Sequence, residues 1–417
     1  MRILLLLLTL SFLAPSRAQD SRREELKKLC TEFDGRGYVN NGAWKASAYI
    51  AQEFEKAGLK QLPNQGWFQS FSFQVNTFPG HCRVQFGDSL LKPGSDYLMK
   101  ATSRGIKGSF EVRYIGASDL TNDSAWNALI TAKLKRNFLY LDTMTLPDEL
   151  SQRRYKLLER NHTGSKGIII RSKRRLIWTV GREQASFTTI EVAEYIGYSS
   201  SIDLLIENKL EKKYPIRNVM GMVPGTRQKD SFLVITAHYD HLGRMGNETV
   251  FPGANDNASG TLMMLELARY YAKNPLPYTV VFLAFTGEEA GLVGSKYFVE
   301  NSPVDLKQIR FLMNLDLEGT GEDGATIVNA TLFEKEYELL KSLNQSDSLL
   351  KVIQRRGEAA NSDHYWFTKA GVPSFFMYQM GSYAHYHDPG DNWDILPLSH
   401  FDPTMRLVQQ FFLKLSE

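Results

Sequence analysis

The sequence predicts an α/β protein: a mostly parallel central sheet flanked by helices, with a small mixed or β-rich domain inserted ahead of it. Three observations carry that prediction. From about Ile216 onward, near-continuous apolar runs alternate with stretches of helical spacing, the pattern of strands buried on both faces. Between about 85 and 200 the texture differs: short strand-like runs (GSFEVRYIG, FLYLD, KGIIIRS, TTIEVA) are separated by polar segments without a helix–strand rhythm. And 417 residues suffice for more than one domain.

Taken in order, the chain opens with Arg2, a leucine run and SFLA, then Pro15, Ser16, Arg17 and Ala18. A basic start, an apolar stretch and small residues before a cleavage point predict a signal peptide over 1–18, a mature chain from Gln19, and export to a periplasmic or extracellular destination. No second run reaches membrane-spanning length, so stable membrane insertion is not expected. Residues 21–33 have helical spacing, with Leu26, Leu29, Cys30 and Phe33 on one side; DGRG at 34–37 reads as a turn. A second amphipathic helix runs from about Gly42 to Ala57 and stops at Gly58. WFQSFSFQV (67–75) alternates like a strand with one buried face. These assignments divide the chain into an N-terminal part of the main domain (19–84), an insert (85–200) and the bulk of the main domain (201–417). In the last, SFLVITA (231–237), YTVVFLAFT (278–286), FLMNLDLEG (311–319) and PSFFMYQ (373–379) are the buried strands. Ser259 to Ala272 is helical, and a final helix follows Asp402-Pro403 and runs to Leu415.

A net charge of +3 with scattered basic residues points to no nucleic-acid partner; RSKRR (171–175) has no aromatic or nucleic-acid module beside it. The two cysteines, Cys30 and Cys82, could form a disulfide in an exported protein or stay buried thiols.

Five segments concentrate the chemistry: HYDHLG from His238, GANDN around Asp256, TGEE ending at Glu289, NLDLEG around Asp316, and HDPGD from His387. Each sets a carboxylate or imidazole after an apolar run or in a Gly-rich turn. Four lie where an open α/β sheet puts its site, at the carboxyl ends of strands. Together they offer the oxygen and nitrogen donors that hydrolytic zinc takes, with one carboxylate to spare for a base. Adjacent Glu288 and Glu289 point different ways, so one can bind metal while the other moves protons. Asp256 sits among small residues that let a two-oxygen carboxylate approach two cations. Asp240, two residues past His238, is suited to orient that imidazole. His385 competes with His387, and Tyr378, Tyr383 and Tyr386 are candidate lining residues.

This segment set resembles the M28 family of zinc aminopeptidases, most specifically across 216–400. GRGYVNNGAWKASAYIAQEFEKAGL, within 30–75, is similar to their N-terminal portion, and 85–200 resembles a protease-associated type of insert. The resemblance implies a zinc-peptidase, phosphorylase/hydrolase-like fold and two zinc ions. His238 and Asp316 would hold one ion, Glu289 and His387 the other, with Asp256 bridging. It also implies Glu288 as general base, Asp240 supporting His238, and peptide substrates with a free N-terminus. His387 is preferred to His385 because the family pattern continues to an Asp, here Asp391; Asn392 replaces the usual Thr. SDH (362–364) matches a segment flanking the pocket. Rival expectations are a one-zinc glutaminyl cyclase of the same fold, a carboxypeptidase or other peptide hydrolase of the family, and a non-catalytic binding protein. Quaternary state is left open by the sequence.

Overall fold

Strand Gln228–His238 alternates its side chains between two apolar layers: Leu233, Ile235 and Ala237 join one buried cluster, Val234 another. Strand Tyr278–Phe285 does the same, with Val280, Phe282 and Ala284 on one face and Val281, Leu283 and Phe285 on the other. This two-sided burial is why both read as unbroken apolar runs. Each fully buried Val, Leu or Phe contributes about 1.5–3 kcal/mol. A computed structural model describes residues 17–142 and 146–417; the expected signal peptide lies outside the described residues except for its last two positions.

The main sheet has eight strands, in spatial order Phe68–Thr77, Lys209–Val223, Tyr278–Phe285, Gln228–His238, Ile309–Leu315, Ser374–Met380, Gly324–Val328 and Ile353–Arg355. The four central strands, from Tyr278–Phe285 to Ser374–Met380, run parallel, and antiparallel pairings flank them on both sides. Helices Gly42–Ala57, Gly260–Lys273 and Phe401–Leu415 contribute Ile50, Phe54, Leu267, Val408 and Phe411 to one layer; Phe298 and Phe367 belong to the other.

A second eight-stranded sheet is built from strands between Cys82 and Ile206 and has its own apolar cluster. Here the expectation of no helix–strand rhythm is corrected. Strands Ile106–Ile115, Asn137–Asp142, Gly167–Ser172 and Thr188–Ala193 are parallel neighbours, with helices Asp123–Thr131 and Glu149–Glu159 in the connections. Glu149–Glu159 is mostly polar and buries only Ser151, Arg154 and Leu158, too narrow a stripe to read as an amphipathic helix.

Boundaries differ in small ways. The first helix spans Arg17–Thr31, and the last begins at Phe401, with Pro403 inside its first turn, where no backbone N–H is required of it. Cys30 and Cys82 are free thiols in separate clusters, so the disulfide alternative is not realised; burial pushes each up to about 12. Among the described residues no helix is long and apolar enough to cross a membrane.

Candidate metal centre

The parallel strands deliver their chemistry at one edge. His238 is the last residue of its strand, Glu288 and Glu289 follow Phe285 by a turn at Gly287 (φ +74°), Asp316 directly follows Leu315, and His387 lies in the loop after Met380. Asp256 comes from the segment that leads into helix Gly260–Lys273, next to a cis peptide bond to Asn257.

Asp256 is the centre of the arrangement. One carboxylate oxygen lies 3.4 Å from His238 Nε2, the other 3.0 Å from His387 Nε2. His238 Nε2 is also 3.3 Å from Asp316 Oδ1, and His387 Nε2 is 3.2 Å from Glu289 Oε2. The five sequence-predicted ligands therefore form two pairs joined through Asp256, and Glu288 stands with its ligand atom within 4.8 Å of those of His238 and Asp316.

Both histidines are fixed in one tautomer. His238 Nδ1 donates to the backbone carbonyl of Asp240 (3.1 Å), and His387 Nδ1 donates to the carbonyl of Trp178 (2.9 Å), leaving each Nε2 facing the cluster. The expectation for Asp240 is thus amended: its backbone oxygen orients His238, because its carboxylate is turned elsewhere. That carboxylate is 3.8 Å from the imidazole; it accepts from Tyr38 Oη (2.6 Å) and from the backbone N–H of Glu288 (3.3 Å).

Several supports lie outside the predicted ligand set. His241 donates through Nδ1 to Glu289 Oε1 at 2.7 Å; it lies in the same HYDHLG motif, and its spacing from His238 was the available clue. Asp391 accepts from the backbone N–H groups of Asn255 (2.8 Å) and Asp256 (3.1 Å), holding the bridging residue's loop. Ser362 donates to Asp316 Oδ2 (3.0 Å), which gives SDH a place in the site. Trp178, whose own N–H bonds back to the His387 carbonyl (3.0 Å), and Arg175, paired with Asp388 and 3.0 Å from His385 Nδ1, tie the segment after strand Gly167–Ser172 to the His387 loop. His385 itself faces Asp388 (2.9 Å) and takes no part in the cluster.

The electrostatics call for cations. Asp240, Asp256, Glu288, Glu289, Asp316 and Asp363 outnumber His238, His241 and His387 even if every imidazole is charged, in a largely enclosed site. Burial opposes charge on Glu289, yet His387 and His241 hold it well below the usual carboxylate range. Burial, followed by the charges of Glu289, Asp363 and Asp316, holds Glu288 well above that range; His238 opposes them. Burial raises Asp363 to about 7. Burial alone would lower His387, but Glu289 and Asp256 push it up to about 11, and Asp316 and Glu288 likewise hold His238 high. The buried Asp316 Oδ1, 3.3 Å from His238 Nε2, makes no hydrogen bond, as a metal-ligand atom would. The residues present fit two zinc ions: nitrogen and carboxylate donors in two groups with a shared carboxylate.

A sign follows. Without metal, His238 and His387 are held protonated at neutral pH, and a ligating imidazole must be neutral. Zinc binding near pH 7 should release the protons of these two imidazoles and that of Glu288, and affinity should rise with pH. Calorimetric zinc titrations in buffers of differing ionisation enthalpy measure this; heats independent of buffer would contradict it.

The cluster opens into a cavity of about 340 Å³ walled by Leu317, Phe376, Tyr378 and Tyr386, the last stacked on His387 at 4.0 Å. A larger cavity, about 540 Å³, lies in the second sheet among Arg104, Lys107, Lys135 and Lys166 and holds none of these groups.

The family model described as Peptidase family M28 matches residues 218–412. Aminopeptidase YwaD of Bacillus subtilis (strain 168) is 33% identical over 162 residues, 38% of this chain and 34% of that protein, so the alignment spans about a third of its length. A probable leucine aminopeptidase of Trichophyton verrucosum (strain HKI 0517) is 24% identical over 56% of this chain and 67% of its own. Among solved structures, BSAP, a zinc aminopeptidase from Bacillus subtilis, superposes with a TM-score of 0.69 at 18% identity, covering 95% of this chain and 94% of its own. A peptidase M28 precursor from Shewanella amazonensis SB2B gives 0.70 at 16%, covering 96% and 94%. At those identities the likeness is one of fold, and it extends over both sheets.

Proposed function

We propose that the chain is a zinc aminopeptidase of peptidase family M28, whose model matches residues 218–412, and that it removes the N-terminal residue from peptides with a free N-terminus. The observation that carries the reading is the Asp256 carboxylate, which turns one oxygen to His238 and the other to His387, with Glu288 beside the cluster on the cavity wall. Two zinc ions held by His238, Asp316, Asp256, Glu289 and His387 would supply Lewis acidity for water and for the scissile carbonyl.

The chain's own residues do the rest. Burial and the neighbouring carboxylates raise the proton affinity of Glu288, so in its carboxylate form it takes the proton of the attacking water and then passes it to the departing amine. Asp240 holds the Glu288 backbone, so the base is fixed to the same loop as the His238 support. Phe376, Tyr378 and Tyr386 shelter the reacting bond from bulk water. We read residues 19–84 and 201–417 as the peptidase domain and 85–200 as an insert of the protease-associated type, with export directed by residues 1–18 to the periplasm or the extracellular space.

The test is hydrolysis of aminoacyl-p-nitroanilides by the mature protein, free and N-terminally blocked, with and without chelator, beside a Gln-initiated peptide. Release from free substrates only, abolished by chelator and restored by zinc, is the expected result. Equal cleavage of blocked substrates would overturn the aminopeptidase reading, and loss of ammonia from the Gln peptide would replace it with cyclisation.

A further inference from the structure

The floor of the 340 Å³ cavity is carboxylate and imidazole, and its walls are largely aromatic. Among its lining residues one side chain carries a fixed positive charge: Arg356. It sits one residue beyond the carboxyl end of edge strand Ile353–Arg355, its backbone N–H bonded to the Ile327 carbonyl (2.9 Å). Its neighbour Arg355 is engaged with Glu334 (2.8 Å). Arg356, by contrast, has no carboxylate within ion-pair distance among the described residues; its Nη1 donates to Tyr378 Oη at 3.3 Å, which steers the guanidinium along the cavity wall. Asn361 lines the same stretch.

A guanidinium presents a planar fork of donors that matches a carboxylate, and most of that fork is unused here. The cavity volume lies at the lower end of the range that small-ligand pockets occupy. A substrate held by its amine and scissile carbonyl at the cluster therefore keeps its remaining groups near Arg356. From this placement we infer that Arg356 is a specificity residue that binds a carboxylate of the substrate. That carboxylate is borne either by an acidic N-terminal side chain or by the C-terminus of a dipeptide. The inference rests on the aminopeptidase reading and deepens it.

Four substrates separate the sources: the p-nitroanilides of Glu and Gln, and Leu-Gly with its C-terminal amide. They are compared on zinc-loaded wild type, Arg356→Ala and Arg356→Lys. In wild type, kcat/KM is expected to favour the carboxylate member of at least one pair by tenfold or more. Arg356→Ala should bring that preference to within about twofold while leaving the neutral member near wild type, and Arg356→Lys should restore part of it, since a point charge replaces the fork. Preference for Glu over Gln identifies the side chain as the source; preference for Leu-Gly over its amide identifies the C-terminus. No preference in wild type, or one that survives in Arg356→Ala, overturns the assignment. Silence on all four from folded, zinc-loaded protein would sink the peptidase reading instead. Calorimetry with the same ligands then decides Arg356: a tenfold weaker Kd for the carboxylate members alone in Arg356→Ala supports it, and equal Kd values overturn it.

Discussion

Replacing Glu288 with Gln should lower kcat by about 10²- to 10⁴-fold, the range a positioned general base contributes, with KM and zinc content close to wild type. The side chain keeps its volume and loses its ability to take a proton. The measurement that gives the prediction its edge is zinc content, because the ligand atoms of Glu288, His238 and Asp316 all lie within 4.8 Å of one another. If Glu288 were a ligand, Glu288→Gln would lose metal along with activity. The geometry favours a base. His238 already faces Asp316 and Asp256 at 3.3 and 3.4 Å, while Glu289, the adjacent carboxylate, is taken up by His241 and His387. Loss of zinc in proportion to activity would contradict the assignment.

The largest effect on stability should come from a residue outside the ligand set. Arg36, fully buried, donates to the carbonyls of Tyr239 (2.8 Å), Leu29 (3.0 Å), Pro252 (2.7 Å) and Gly253 (2.6 Å). It thereby joins the first helix to the segment after His238 and to the segment before Asp256. Arg36→Ala strands these acceptors in a dry interior, and each unpaired buried polar group costs about 1–3 kcal/mol. Four such groups sum to roughly 4–12 kcal/mol, a large share of the ~5–15 kcal/mol that a domain has in hand. Thermal unfolding should show a drop of about 10 °C or more, and zinc affinity should fall as the flanking segments of His238 and Asp256 loosen. Arg36→Lys should recover little, because a single ammonium cannot reach carbonyls on three sides. An unchanged melting temperature in Arg36→Ala would refute this account of the keystone.

Arg36 also marks the boundary of what the sequence conveys. Its segment, DGRG, reads as a turn and nothing more, since all of its partners but Leu29 lie more than 200 positions away. The parallel strands and the residues at their ends were legible for the opposite reason. An apolar run that stops at a histidine or a glutamate announces both a buried strand and a group delivered to its end. His238, the Glu288–Glu289 pair and Asp316 stood out in this way, whereas the bridging role of Asp256, the choice of His387 over His385 and the split between Glu288 and Glu289 came from the resemblance to M28 peptidases. The Trp178 carbonyl that fixes His387 is a backbone atom supplied by the connection between strands Gly167–Ser172 and Thr188–Ala193, and no residue type encodes it. Asp240 shows the limit from another side: its position two residues past His238 was informative, but which of its oxygens meets the imidazole depends on Tyr38. The helices between strands of the second sheet were missed because their buried stripes are narrow, although strands Gly167–Ser172 and Thr188–Ala193 were plain.

The central claim is a shared carboxylate between two metal positions, and counting zinc tests it most directly. Metal analysis of dialysed protein should give about two zinc ions per chain. His238→Ala and His387→Ala should each retain about one, and Asp256→Ala should retain neither at the same free zinc concentration. One zinc in wild type, lost equally in the His238 and His387 variants, would contradict the two-metal arrangement and leave a single-ion site in its place.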